Sequence, residues 1–176
     1  MIKKILVWLL ILLVVAGAAL FILNGTDKYD ASKFSGTSSD GLNVGSKISF
    51  TLPDQFDKAH TLDAGVKKLI FVFKKDAGHT VNEFLKKQDS DYLTKRNTLF
   101  VADISPMPVI IRNTFALPDL RTSPYKMLLL YDGELVKAFK DEANADKIAI
   151  VTVDNAVVKA TEYISTAAEL EKALQK

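Results

Sequence analysis

The run "ILVWLLILLVVAGAALFIL", Ile5 to Leu23, carries no charge and follows directly on Lys3 and Lys4. No other feature restricts the chain as much. Wound as a helix it extends about 28 Å, close to the hydrocarbon thickness of a bilayer, and a helix apolar on every side offers water no solvated face. The run predicts a transmembrane anchor over residues 1–23. A cleaved signal peptide is the alternative, since "AGA" at Ala16 to Ala18 has the small residues of a cleavage site. "ALFIL" prolongs the apolar run beyond that point, which a cleaved leader does not need. The lysines ahead of the span set the N-terminus in the cytoplasm and the bulk of the chain outside. The expected location is therefore a single-pass protein of a bacterial inner membrane with a periplasmic C-terminal domain, or a periplasmic protein if the leader is removed.

Charge narrows the partners. The chain has 23 Lys and Arg against 21 Asp and Glu. Two of the lysines precede the span, so the exported part is formally neutral. Nucleic-acid binding needs a basic surplus, and none is visible. There is no cysteine. Disulfide staples, lipoprotein acylation and every thiol-based reaction are thereby excluded, and the fold must rest on its core.

Asn24 to Ser46, "NGTDKYDASKFSGTSSDGLNVGS", is rich in Gly, Ser, Asp and Lys and has no apolar period, so it predicts a flexible linker over residues 24–46. The globular domain is expected over residues 47–176. "KISFTLPDQFDKAHTL" reads as two strands around a turn at Asp54 to Lys58. "KKLIFVFK" is a continuous apolar run, the pattern of a central strand covered on both faces. A helix follows with Val81, Phe84, Leu85, Tyr92 and Leu93 on an incomplete apolar stripe. "NTLFVADI" is a second core strand, and "SPMPVIIRNTFALPDL" holds one short helix among three prolines. "YKMLLLYDGELVKAF" reads as strand, turn at Asp132-Gly133, and strand. "KIAIVTVDNAVVKATEYI" repeats that pattern around Asp154-Asn155. "STAAELEKALQK" closes the chain as an amphipathic helix with a Thr166/Glu169 capping box. Strands alternating with helices predict an α/β sandwich with a central mixed sheet.

This order of elements resembles the thioredoxin-like superfamily, in its peroxiredoxin-like branch. "GSKISFTLPDQFDKAHTL" looks like the N-terminal hairpin of such domains, "LIFVFKKDAGHTVNEF" like their strand, catalytic loop and helix, and the two later segments like their late strand pairs. A narrower likeness is to the bacterial exported YtfJ-type proteins. "AGHTVNEF", "LFVADISPMPVIIRNTF" and "IAIVTVDNAVVKATEYISTAAELEKAL" have counterparts there in this order. The resemblance spans Gly45 to Gln175 and implies a thioredoxin-like fold. It also implies a reactive cysteine three residues before Glu83, where this chain has Thr80. A hydroxyl offers no accessible thiolate equivalent, so peroxide reduction and disulfide exchange cannot run there. The proline that the family places before its late strand is missing from Asn144 to Lys147. Pro124 is a rival only in a plain thioredoxin alignment.

Thr80-Val81-Asn82-Glu83 has the spacing of a capping box, which predicts a helix start at Thr80. Asp76, Gly78, His79 and Thr80 form a candidate ligand loop at that start, as anion site or general base. The bland alternative is an exposed loop. With His60 as the only other histidine, the clustered donors of a metal site are missing, and no metal, cofactor or catalytic residue is expected. Met107, Val109, Ile110, Ile111, Phe115 and Leu117, with Arg112 and Arg121 at the rim, are more apolar residues than one short helix needs. They make a candidate partner surface, with a helix buried on the sheet as the alternative. The functional expectation is a membrane-anchored, redox-inactive interaction or assembly module with a protein partner in the membrane or periplasm. The second is a ligand-binding protein or cysteine-independent enzyme using the Asp76/His79/Thr80 loop. A carrier of apolar ligands along Met107 to Leu117 is the third.

Overall fold

The computed structural model describes residues 2–176, with the side chains of Ile2 and Leu20 left aside. Met1, the first residue of the expected anchor, lies outside them. Helix α1, Ile2–Gly25, is long and apolar enough to cross a membrane, and its most apolar stretch is exposed, while its last residues, Asn24 and Gly25, are half-buried.

The domain is built on a five-stranded mixed sheet. Its strands are β4 (Lys68–Val72), β5 (Thr98–Asp103), β6 (Leu128–Leu130), β7 (Ile148–Asp154) and β8 (Val157–Ile164), in the order β6-β5-β4-β7-β8. β4, β5 and β6 run parallel, and β7 and β8 are antiparallel to their neighbours. The apolar runs read as central strands alternate between two cores. Ile70, Val72, Phe100, Leu129, Ile148 and Ile150 point to one face, and Leu69, Phe71, Val101, Leu128, Ala149 and Val151 to the other. Burial on both faces is why these segments are apolar throughout.

The first face is covered by α2 (Lys75–Leu85), by α6 (Ala167–Gln175) and by a helical segment between β5 and β6. The second carries a small antiparallel sheet, β1 (Ser35–Ser38), β2 (Ile48–Pro53) and β3 (Ala59–Thr61), together with α5 (Gly133–Lys137). Gln55 fastens the small sheet to the large one. Its amide nitrogen donates to the Tyr125 carbonyl at 2.8 Å, and its oxygen accepts from the Met127 amide at 3.0 Å. Both contacts are buried and give each end of the amide a partner, which offsets the cost of placing it inside.

Three expectations need correction. Residues 24–46, expected as a flexible linker, carry β1 and pack on the domain. Tyr29 stacks on Tyr131 at 4.7 Å and on Phe34 at 5.5 Å, Leu42 is buried, and Gly36 lies where any Cβ would meet the Phe139 ring at 2.9 Å. The polar composition hid these scattered anchors because strand pairing needs backbone, not apolar side chains. The second expected strand of "YKMLLLYDGELVKAF" is helix α5, since Asp132 caps it by accepting from the Glu134 amide at 2.8 Å. The late hairpin turns at Asn155-Ala156 and not at Asp154-Asn155: Asp154 still pairs with Val157, and both turn residues have positive φ, while a bulge at Thr152/Val153 shortens the loop to two residues. The Thr166/Glu169 capping box is present as read.

The segment among the prolines is α3 (Val109–Ile111), a π-helical turn (Arg112–Ala116) and α4 (Leu117–Leu120). Pro118 accounts for the widening. It has no N–H for the carbonyl four residues back and its ring crowds that carbonyl, so the preceding turn opens and the Leu117 amide bonds Arg112 O instead.

Candidate functional site

Helix α2 begins at Lys75, with Lys74 extended (φ −131°, ψ 152°) at the cap position and no side chain capping it. The helix start expected at Thr80 is thus corrected. Thr80 lies well inside the helix, and its hydroxyl donates back to the Asp76 carbonyl at 3.1 Å. The aspartate-rich cap that would have marked the true start is missing, and two lysines stand there instead. The first amide N–H groups of α2 have no partner within the helix and carry the positive end of its dipole. Lys74 and Lys75 add two cationic side chains to that end.

Beside it opens a cleft of about 560 Å³. Its apolar lining includes Val72 and Ala102 near the carboxyl ends of β4 and β5, Phe100 in the middle of β5 and Met127 just before β6. One wall is α2, through Gly78, His79 and Asn82, and the other is the segment from Ile104 to Leu120, through Pro106, Met107 and Pro108. The lining is largely apolar, with Lys74, Lys75 and Lys140 at one side and Asp103 and Asp119 as the acids. A crevice beyond the carboxyl ends of parallel strands is where an α/β sheet leaves space for a ligand.

Asp103 is half-buried in this cleft. Burial pushes its carboxyl above the usual range, against hydrogen bonds from Ser105 and the charges of Lys140 and Lys74. Its Oδ1 accepts from the Ser105 amide at 2.9 Å. Lys140 reaches the cleft from beyond α5 and pairs with the exposed Glu142 at 2.8 Å. On the α2 wall, Asn82 accepts from the buried Tyr125 hydroxyl, whose ionisation burial pushes up.

The structure therefore brings together Gly78, His79 and Met107 from the two sequence-derived candidate sets, and leaves Asp76 and Thr80 outside the cleft lining. Asp76 and His79 are exposed, and no hydrogen bond joins them among the described residues. Val109 and Ile110 are half-buried, and Leu117 and Arg112 are buried. Of the apolar residues of the expected partner surface only Ile111 and Phe115 are exposed. Sequence reasoning missed Lys74, Lys140 and Asp103. The "KK" pair before "DAGH" was the one visible clue.

His60 belongs to another cluster. Its Nε2 lies 2.8 Å from Asp54 Oδ2, and its Nδ1 lies 3.3 Å from Lys126. Asp54 also accepts from the amides of Phe56 and Lys58, at 2.8 and 3.0 Å. Burial works to raise Asp54, but His60 and the two amides outweigh it and hold the carboxyl below its ordinary value. This arrangement locks the β2–β3 turn.

The five-stranded sheet with helices on one face and the small sheet on the other is a mixed α/β thioredoxin-like fold, carried here without cysteine. The chain is similar to the solution structure of a candidate protein disulfide isomerase from Bacteroides thetaiotaomicron, with a TM-score of 0.53 at 14% identity, covering 80% of this chain and 90% of that one. It is also similar to the solution structure of a candidate thioredoxin from Neisseria meningitidis, with a TM-score of 0.50 at 17% identity, covering 78% of this chain and 93% of that one. At these identities the likeness is one of fold. No protein-family model matches the chain, and no curated protein matches it.

Proposed function

We propose that this chain is a membrane-anchored, exported binding module, kin to the YtfJ-type proteins, whose cleft at the start of α2 takes a small amphiphile with an anionic head. The observation that carries the reading is the joining of an apolar floor to a cationic rim. Val72, Phe100, Met107 and Met127 suit an alkyl or ring body, while Lys74, Lys75, Lys140 and the free amides of α2 suit a carboxylate or phosphate. Export with the domain outside is supported by Lys3 and Lys4 ahead of α1. The chain has no thiol, so what the thioredoxin-like scaffold offers here is the shape and field of the site.

Binding a large protein partner through residues 107–117 has less support. Ile111 and Phe115 alone fall far short of the roughly 800 Å² that each side of a stable interface buries. Met107 faces the cleft, and Arg112 and Leu117 face inward.

The chain has three methionines, and Met107 and Met127 both line the cleft, so methyl-labelled methionine reports on it directly. The full-length protein in lipid nanodiscs is titrated with octyl phosphate and, separately, with octyl trimethylammonium. Saturable shifts of both methyl signals with the anion are expected, weakened about tenfold in the Lys74→Glu/Lys75→Glu variant, the equivalent of about 1.4 kcal/mol. Equal response to the cation, or no saturable shift with either, would sink the proposal.

A further inference from the structure

Helix α1 does not end free. The Asn113 side-chain amide donates to the Asn24 carbonyl at 2.8 Å and to the Thr26 carbonyl at 3.0 Å, which satisfies carbonyls at the C-terminal end of the span. Beside it Arg112, only 3% exposed, pairs with Asp27 and lies over the Tyr131 ring, 4.7 Å from its centroid. Tyr131 in turn stacks on Tyr29, two residues past Asp27. The first residues beyond the span are thus clamped to the π-helical turn, and α1 packs directly against α3 and that turn.

The clamp determines what lies at the level where the span ends. Among the described residues outside α1, the large apolar side chains left exposed are Val44, Phe56, Ile111 and Phe115. Ile111 and Phe115, 46% and 65% exposed, stand two residues to either side of Asn113. At a spacing of four they share one helical face. Leu23, the last residue of the apolar run, is exposed on α1, and exposed Lys28 follows just past its end.

We infer that Ile111 and Phe115 dip into the outer surface of the bilayer, so that the domain sits on the membrane in one orientation instead of swinging from a tether. The occupant of this apolar face is the lipid surface itself. The observation that selects it is continuity with the span: the last turn of α1 packs against α3 and the π-helical turn, the segments that carry Ile111 and Phe115. Interfacial helices place apolar side chains about 5–10 Å into the headgroup and acyl boundary, with cations such as Lys28 at the phosphate level. This rests on the anchor reading of α1.

Because the chain has no cysteine, single cysteines can be placed at will. I111C, F115C, L13C in the span and V44C are each labelled with a small fluorophore. The full-length protein is reconstituted in phosphatidylcholine/phosphatidylglycerol bilayers with acyl chains brominated near the headgroup, and in parallel near the chain end for reading L13C at the bilayer centre. The I111C and F115C labels should be quenched at least about threefold more than the V44C label, as expected of side chains at the acyl boundary. Adding Asn113→Ala should reduce quenching at F115C while L13C stays quenched. Strong quenching at L13C with F115C as weak as V44C overturns the inference and leaves the anchor standing. An unquenched L13C overturns both. Oxidative cross-linking of F115C to itself in the bilayer would assign the face to a second copy of the chain and also overturn the inference.

Discussion

At the residue scale, Asp54 and Arg112 show how one side chain can hold a whole region. Asp54 is 4% exposed and its carboxylate takes three hydrogen bonds, so its ionised form is the one the fold needs. Its folded pKa lies below the unfolded value of about 3.9, so its contribution is present above pH 4 and is lost as pH falls through the folded value. Thermal melts across pH should show the wild type ahead of Asp54→Asn at pH 7, with the gap closing below about pH 4. A gap that persists at low pH would mean that the turn does not depend on the charge. Asp27→Ala tests the other cluster, because it leaves a buried guanidinium without its acid or any acceptor in its place. Loss of a hydrogen bond to a charged group predicts a destabilisation of about 2 kcal/mol, read by denaturant unfolding. Neither role was visible in sequence. Asp27 and Arg112 are 85 residues apart, so only the tertiary fold joins them. The Asp54 cluster lies within six residues, but its burial is set by the packing of the small sheet.

At the element scale, regular strands and the capped C-terminal helix were legible, whereas starts and turns without a capping residue were not. β4 and β5 announce themselves by unbroken apolar runs, and α6 by its reciprocal Thr166/Glu169 bonds. Helix α2 misled because Thr80 and Glu83 stand at capping-box spacing within a helix that has already started without any side-chain cap. A local motif cannot reveal that β4 delivers the chain to the helix five residues earlier. The β7–β8 turn holds Ala156 at φ 61°, a conformation that costs an L-residue roughly 1 kcal/mol. Ala156→Gly relieves that strain, partly offset by greater freedom of the unfolded chain, and should raise stability by about 0.5 kcal/mol. A lower melting temperature would count against the strained-turn account. Gly36→Ala should do the reverse, by forcing a Cβ into the Phe139 ring.

At the scale of the whole molecule, the electrostatics of the cleft beside α2 can be tested directly. If the start of α2, Lys74 and Lys140 make the cleft mouth electropositive, a thiol introduced as Lys75→Cys should titrate well below the ordinary value of about 8.5. Thiolate absorbance against pH measures this, and an ordinary titration would remove the support for anion recognition there. By itself the sequence determined that α1 is apolar on every side, that thiol chemistry is absent, and that the central strands are buried on both faces. Those properties are written in composition and in short periodicities, which act through solvent and not through particular neighbours. Tertiary structure alone decided where α2 begins, that Asp103 and three lysines share one cleft, and that Asn113 clamps the end of α1. Each of these depends on where distant segments are delivered by the sheet, and no local pattern carries that information.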